Sequence, residues 1–202
     1  QIRFLKVRRN PQQKDAVLSA PYFIDATELG DLLPITGAEY VTGAESKADT
    51  GELHAQEKAD PANVQAITHC LAMEYRPGEN HLIDKPENYA FWSGLVPKLT
   101  PPWSGRLLAL AYASPRDLKP KALGFNPLGV KTGSSLNLWN YRRIIDKHNF
   151  NPGTYGSDIT IVNWPENDYF LGNLIDVGEK QYWKDRQAAK QLSLSLFYWL
   201  QT

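Results

Sequence analysis

The sequence predicts a mixed chain, α/β or α+β: a mixed β-sheet, much loop and one long helix near the C-terminal end. Three stretches predict it. Ala16 to Asp25 carries a β-rich apolar run of the length of a buried strand. Val64 to Tyr75 alternates between two faces over the length of a long strand, and Tyr182 to Leu200 repeats apolar residues at spacings of three and four.

In order, Ile2 to Arg8 alternates apolar and basic residues, the period of a half-exposed strand, and Asn10-Pro11-Gln12-Gln13 is a turn. The pair of strands on either side reads as a hairpin. The second strand then changes character: Asp25, Ala26 and Thr27 are short, Glu28 and Asp31 are acidic, and Gly30 permits a tight turn. Small residues at a strand's carboxyl end bring backbone close to a ligand in α/β folds. They also suit a plain strand-to-helix turn.

Glu45 to Pro61 is polar, without apolar period, and reads as a surface loop. Along Val64 to Tyr75, Ile67, His69, Leu71 and Met73 share one face, and Thr68, Cys70 and Ala72 the other. Arg76-Pro77-Gly78 is a turn, and Pro86 opens a short helix through Tyr89, Phe91 and Trp92. Leu107 to Ala113 is too short to assign by period. Pro115 to Gly133, with its Pro and Gly, reads as loop or lid. Leu136 to Asp146 and Asp158 to Asn163 read as strands. In the last helix Ala189, Leu192, Leu196 and Trp199 follow one face, and Gly178-Glu179 suits the start, with a negative charge at the positive end of the dipole. That stripe is expected to be exposed unless self-association or a second polypeptide covers it.

Twenty-two basic and twenty-two acidic residues cancel over 202 positions, so no electrostatic footprint for nucleic acid or an acidic membrane is visible. No apolar run approaches the roughly 18 residues of a membrane span, and no signal peptide is expected within these residues. A cytoplasmic protein is expected, with an exported one whose signal has been removed as the alternative. The lone Cys70 excludes an internal disulfide and a CxxC clip, and its place in a strand pattern predicts a buried, inert thiol.

The dinucleotide fingerprint GxGxxG is absent. Gly124 to Thr132 superficially resembles a phosphate loop, but Val130 adds a residue before Lys131 and Pro127 breaks the geometry. His54, His69, His81 and His148 form no HxxxH or HExxH pattern, so no metal site is predicted. His69, mid-strand on a mixed face, is the candidate catalytic residue: imidazole there can move protons near neutral pH, or serve as a hydrogen-bonded core residue. NWPENDYF places Asn163, Trp164, Asn167 and Tyr169 directly after an apolar strand. Amides and aromatics at a strand end suit a small-molecule site; they equally suit a turn whose Asn and Asp bond their own backbone. Alternation puts Arg142 and Arg143 on opposite faces, so at most one enters a pocket, where it would pair with a substrate carboxylate; a surface ion pair suits it equally. Arg142, Asn163, Trp164, Asn167 and Tyr169 are thus the substrate-binding candidates.

FIDATELGDLLPITGAEYVTGAES, YRPGENHLIDKPENYAFW, LWNYRRIID, NWPENDYF and DRQAAKQLSLSLFYWLQT resemble segments of bacterial FAD-dependent oxidoreductases with a glutathione-reductase-like fold. The resemblance runs over nearly the whole chain. Many flavoproteins have Ala-Thr-Gly at the strand end where this chain has Ala26-Thr27-Glu28. The resemblance implies FAD as cofactor, contacted by Asp25, Ala26, Thr27, Glu28, Gly30 and Asp31, and hydride transfer from an organic substrate to the flavin. It implies a fragment that lacks the N-terminal GxGxxG unit and is not competent alone. Residues 1–45 would belong to a Rossmann-like FAD-binding domain, 46–176 to an inserted substrate domain, and 177–202 to a helix returning to the first. The implied partners are a small-molecule substrate and either the remainder of the same protein or a second copy. The alternative function is a non-catalytic domain that binds a ligand or a partner.

Overall fold

The structure, a computed structural model, describes residues 2–7, 14–100, 102–103, 105–128 and 135–202. The predicted turn at 10–13 and the Gly129 to Gly133 part of the predicted loop lie outside the described residues. The chain divides into two units, Gln1–Val64 and Gln65–Thr202.

In the first unit β1 (Leu5–Val7) and β2 (Ala16–Leu18) pair antiparallel, with Leu5 opposite Leu18, as the hairpin pattern predicts. The second strand is shorter than predicted. It ends at Leu18, and Tyr22 and Ile24, expected inside, are 86% and 89% exposed. No described strand pairs with residues 19–25, so this run has no sheet to be buried in. A turn over 25–31 leads into α1 (Leu32–Thr36), stopped by Gly37 in the left-handed conformation. The predicted polar loop holds one helical turn, α2 (Lys47–Thr50), because the Ser46 hydroxyl accepts from the Asp49 amide at 3.2 Å. Among the described residues this unit buries no apolar side chain.

The buried core belongs to the second unit. Its elements are β3 (Ile67–Thr68), β4 (Leu71–Glu74), α3 (Tyr89–Gly94), β5 (Ala111–Ala113), β6 (Pro120–Gly124), β7 (Leu136–Asn137), α4 (Leu138–Tyr141), β8 (Arg143–Ile145), β9 (Ile159–Val162), β10 (Asp168–Tyr169) and α5 (Glu179–Gln201). The sheets are small: β4-β9-β8 antiparallel, β5-β6-β7 with β6 and β7 parallel, and β3 paired with β10. The strand predicted at 64–75 is two strands, because β3 pairs with β10 while β4 pairs with β9. The break falls at His69 and Cys70, and it turns Cys70 outward: the thiol is exposed, not buried as predicted. The strand predicted at 136–146 is likewise interrupted. The Asn137 side chain accepts from the Trp139 amide at 3.1 Å and caps the short helix α4.

The last helix is a few residues longer than predicted and starts where predicted, with Gly178 extended before Glu179. Its stripe is not exposed. Ala189, Leu192 and Leu196 are buried in this unit, where α5 packs on α3, β3, β10 and the 3-10 turn Pro165–Asn167. Burial of Leu192 and Leu196 is worth roughly 1.5–3 kcal/mol each, so the chain supplies the cover that was expected of another polypeptide. Edge-to-face rings complete the core: Phe125 lies 6.1 Å from Trp139 and 6.0 Å from Trp164, and Trp92 lies 6.0 Å from Tyr169. No helix among the described residues is long and apolar enough to cross a membrane.

Candidate functional site

The turn at 25–31 is built by its own side chains. Asp25 Oδ1 accepts from the Thr27 amide (3.0 Å) and hydroxyl (2.7 Å), and Asp25 Oδ2 accepts from the Leu32 amide (2.9 Å). Thr27 Oγ1 accepts in turn from the Asp31 amide at 2.8 Å. These donors, Thr27 first and Leu32 after it, hold the Asp25 carboxyl below the usual carboxylate range. Gly30 (φ 67°) closes the turn. Asp25 and Thr27 are therefore committed to each other, and Asp25 serves the first turn of α1. Ala26 and Glu28 are exposed residues whose peptide N–H groups donate to no described residue. This donor set fits an acceptor-rich cofactor through backbone; the carboxylate and hydroxyl expected to touch it are not free.

The second unit holds a pocket of about 820 Å³, within the range of small-molecule sites. Buried Met73 and Trp139 and half-buried Phe125 and Phe197 form its apolar part; Arg76 and Glu79 are among its exposed polar residues. The Trp139 indole N–H, though buried, has no acceptor among the described residues. Arg76 is held in place. Its Nε donates to Glu74 Oε1 at 2.9 Å, Glu74 Oε2 accepts from Ser157 Oγ at 3.4 Å, and the guanidinium lies against Gly156, where a Cβ would come within 2.5 Å of Nη1. The opposite side is closed by Gln201 at the end of α5, whose side chain accepts from the Ile83 amide (3.2 Å) and donates to the His81 carbonyl (2.8 Å).

None of the residues predicted to bind substrate lines this pocket. Trp164, Asn167 and Tyr169 are buried. Asn167 Oδ1 accepts from the Trp164 amide at 2.9 Å, Asn167 Nδ2 donates to Ser193 Oγ at 3.1 Å, and the Tyr169 hydroxyl donates to Asp185 at 2.9 Å. These bonds make NWPENDYF the joint between β9 and α5. Burial raises the Tyr169 hydroxyl's pKa further than the bond to Asp185 does, so it stays protonated. Arg142 donates through Nε to the Asn163 carbonyl at 3.0 Å, and its guanidinium lies 5.2 Å from the Tyr141 ring. Arg143 takes different partners, Asp146 and Asp158, each at 2.8 Å; because Arg142 ends α4 and only Arg143 lies in a strand, the two are not separated by strand alternation.

The structure does bring His69 beside that joint, since Thr68 pairs with Asp168 and their side chains are hydrogen-bonded. His69 is half-buried. Its desolvation, followed by the charges of Lys190 and Arg186, lowers its pKa and keeps the ring neutral. It does not line the pocket. Asp146, His148 and Asp158 bring possible metal-ligand atoms within 4.8 Å of one another. Arg143 already bridges the two carboxylates, and His148 Nδ1 meets Asp146 at 3.0 Å, so a guanidinium stands where a cation would.

Sequence reasoning missed the pocket although its residues lay in the quoted segments. Tyr75 to Leu82 supplies one wall, LWNYRRIID supplies Trp139, and the terminal helix supplies Phe197, Leu200 and Gln201. The available signal was the charged and amide cluster Arg76, Glu79, Asn80 and His81 at the carboxyl end of a strand.

A family model described as FAD dependent oxidoreductase matches residues 1–202. No curated protein and no solved structure matches the chain.

Proposed function

The chain belongs to the FAD dependent oxidoreductase family, and on that premise we propose that it binds a small organic substrate in the Trp139 pocket and serves hydride transfer from that substrate to flavin. The observation that carries this reading is the pocket itself, which joins an aromatic, partly buried lining to a held guanidinium. FAD is the cofactor the family implies, and when bound it supplies the hydride acceptor. The residues proposed to hold it are those of the 25–31 turn, through the Ala26 and Glu28 peptide N–H groups. Asp25 and Thr27 shape that turn. In the pocket Trp139 and Phe125 orient the substrate by ring contact, and Arg76 fixes a polar end. His69 has no assigned step there.

The turn offers backbone donors but no Gly-rich helix N-terminus for a pyrophosphate, which supports the further reading that the chain alone holds FAD weakly and is completed by another segment. Titrating FAD into the purified chain while following flavin fluorescence tests this. Saturable binding at micromolar FAD overturns it. The substrate reading is tested in the flavin-loaded protein: a small molecule that bleaches the yellow absorbance must lose that effect in Trp139→Phe. Full bleaching by the variant removes the pocket from the reaction. Ligand binding with no bleaching by any bound compound returns the non-catalytic binding domain.

A further inference from the structure

Resting on the reading of the Trp139 pocket as the substrate site, we propose that its ligand is an aromatic or apolar carboxylate, with its body against Trp139 and Phe125 and its carboxylate on the guanidinium of Arg76. The hydrogen-bonding capacity of the lining points to this ligand. Glu74 takes Arg76 Nε and Ser157 Oγ on its two oxygens, and Glu79 gives one oxygen, Oε2, to His81 Nε2 at 2.7 Å. The amide of Gln201 is spent at both ends on the 81–83 backbone, and Asn80 Oδ1 accepts from the Leu82 amide at 3.1 Å.

Among the described side-chain atoms of the lining, those of fixed role left over are three donors, Nη1 and Nη2 of Arg76 and the amide N–H of Asn80, against one acceptor, Glu79 Oε1. The Tyr75 hydroxyl and the His81 ring can adapt either way. A majority of donors beside an aromatic wall favours a ligand rich in acceptors, and a planar guanidinium with two free nitrogens matches a carboxylate bidentately.

The Arg76 side chain is pre-set for this. Glu74 takes the Nε edge and leaves the two Nη groups, while Gly156 gives the guanidinium a surface to lie on without a Cβ in the way. Gly156 is therefore a positioning residue for Arg76. Its φ is not in the left-handed region, so alanine is allowed by the backbone and meets the Arg76 guanidinium first.

Calorimetric titration of the full chain with 1-naphthaleneacetate and its neutral amide, 1-naphthaleneacetamide, tests the proposal. The carboxylate is expected to bind about tenfold tighter than the amide. Arg76→Met should erase that preference, and Gly156→Ala should reduce it, with amide affinity unchanged in both. Trp139→Phe should weaken both ligands. Equal affinity for the two ligands overturns the carboxylate assignment while leaving the pocket as a site, as does a preference that survives Arg76→Met or tighter binding of 1-naphthalenemethylamine. Absence of binding by all three compounds overturns the pocket reading itself. Unchanged thermal unfolding of Gly156→Ala shows that its effect comes from Arg76 and not from lost structure.

Discussion

The Tyr169 hydroxyl donates to the buried carboxylate of Asp185 at 2.9 Å, tying the end of β10 to the second turn of α5. Gln181 Nε2 donates to the other oxygen at 2.8 Å, and Gly172 lets the carboxylate lie directly on its backbone, where any Cβ would collide with it. Tyr169→Phe takes one donor from a buried anion and should cost about 1–3 kcal/mol in urea unfolding. Gly172→Ala should cost more, because the clash moves both Asp185 and the backbone. If both variants unfold like the wild type, this joint does not hold α5.

Glu166 is 1% exposed, and neither carboxylate oxygen has a described partner. Burial pushes its pKa up from 4.5 to about 7, with the Asp168 charge adding a smaller push. A carboxyl raised by folding binds its proton more tightly in the native state. Its stabilising contribution is complete below pH 4.5 and is lost as pH rises through 7. A displacement of that size corresponds to roughly 3 kcal/mol. Glu166→Gln should flatten the decline in unfolding free energy between about pH 4.5 and 7, so its stability relative to wild type improves with pH. Parallel pH profiles for the two proteins would show that Glu166 ionises normally.

Asp25 accounts for the shape of the 25–31 turn. Asp25→Ala frees the Thr27 and Leu32 amides, so hydrogen exchange at both should accelerate, while exchange in α5 stays unchanged. The wild-type turn should loosen in the same way as pH falls through the lowered pKa of this carboxyl, below 3.8. Uniform exchange across the turn in both proteins would remove Asp25 from that role.

Asn167 and His69 divide stability from chemistry. Asn167→Ala leaves the Trp164 amide and the Ser193 hydroxyl unpaired in the core and should cost about 1–3 kcal/mol. His69 has no described hydrogen bond and is half-buried, so His69→Ala should change stability by under about 1 kcal/mol. Thermal unfolding of the two variants distinguishes them, and a reversed order would make His69 the structural residue.

The terminal helix was legible because Ala189, Leu192 and Leu196 repeat over many turns and one side alone is buried. The strand β9 also buries alternate residues, Thr160 and Val162, whereas the hairpin β1–β2 was legible from its strand patterns although neither strand is buried. Strand ends were not. Val64 to Tyr75 has one continuous pattern, yet β3 and β4 take different partners 85 residues or more away, which local periodicity does not encode. The NWPENDYF turn read equally as site or joint, and only the positions of Ser193 and Asp185 on α5 decide between them. The pocket was invisible for a related reason: Arg76, Trp139 and Gln201 meet only after the chain folds, and each alone looks like an ordinary surface or core residue.

The Gln201 clasp joins positions 118 and 120 residues apart in sequence. Long-range closures of this kind form late, because the entropy of bringing distant segments together is lost before their contacts stabilise anything. The sheet β4-β9-β8 carries the same burden, pairing Leu71 with Val162. Refolding should therefore pass through a stage in which helix is present by circular dichroism while the Trp139 cavity is not yet assembled. Ligand recognition would then be the slowest property to return after denaturant is removed, lagging behind secondary structure in the same stopped-flow experiment.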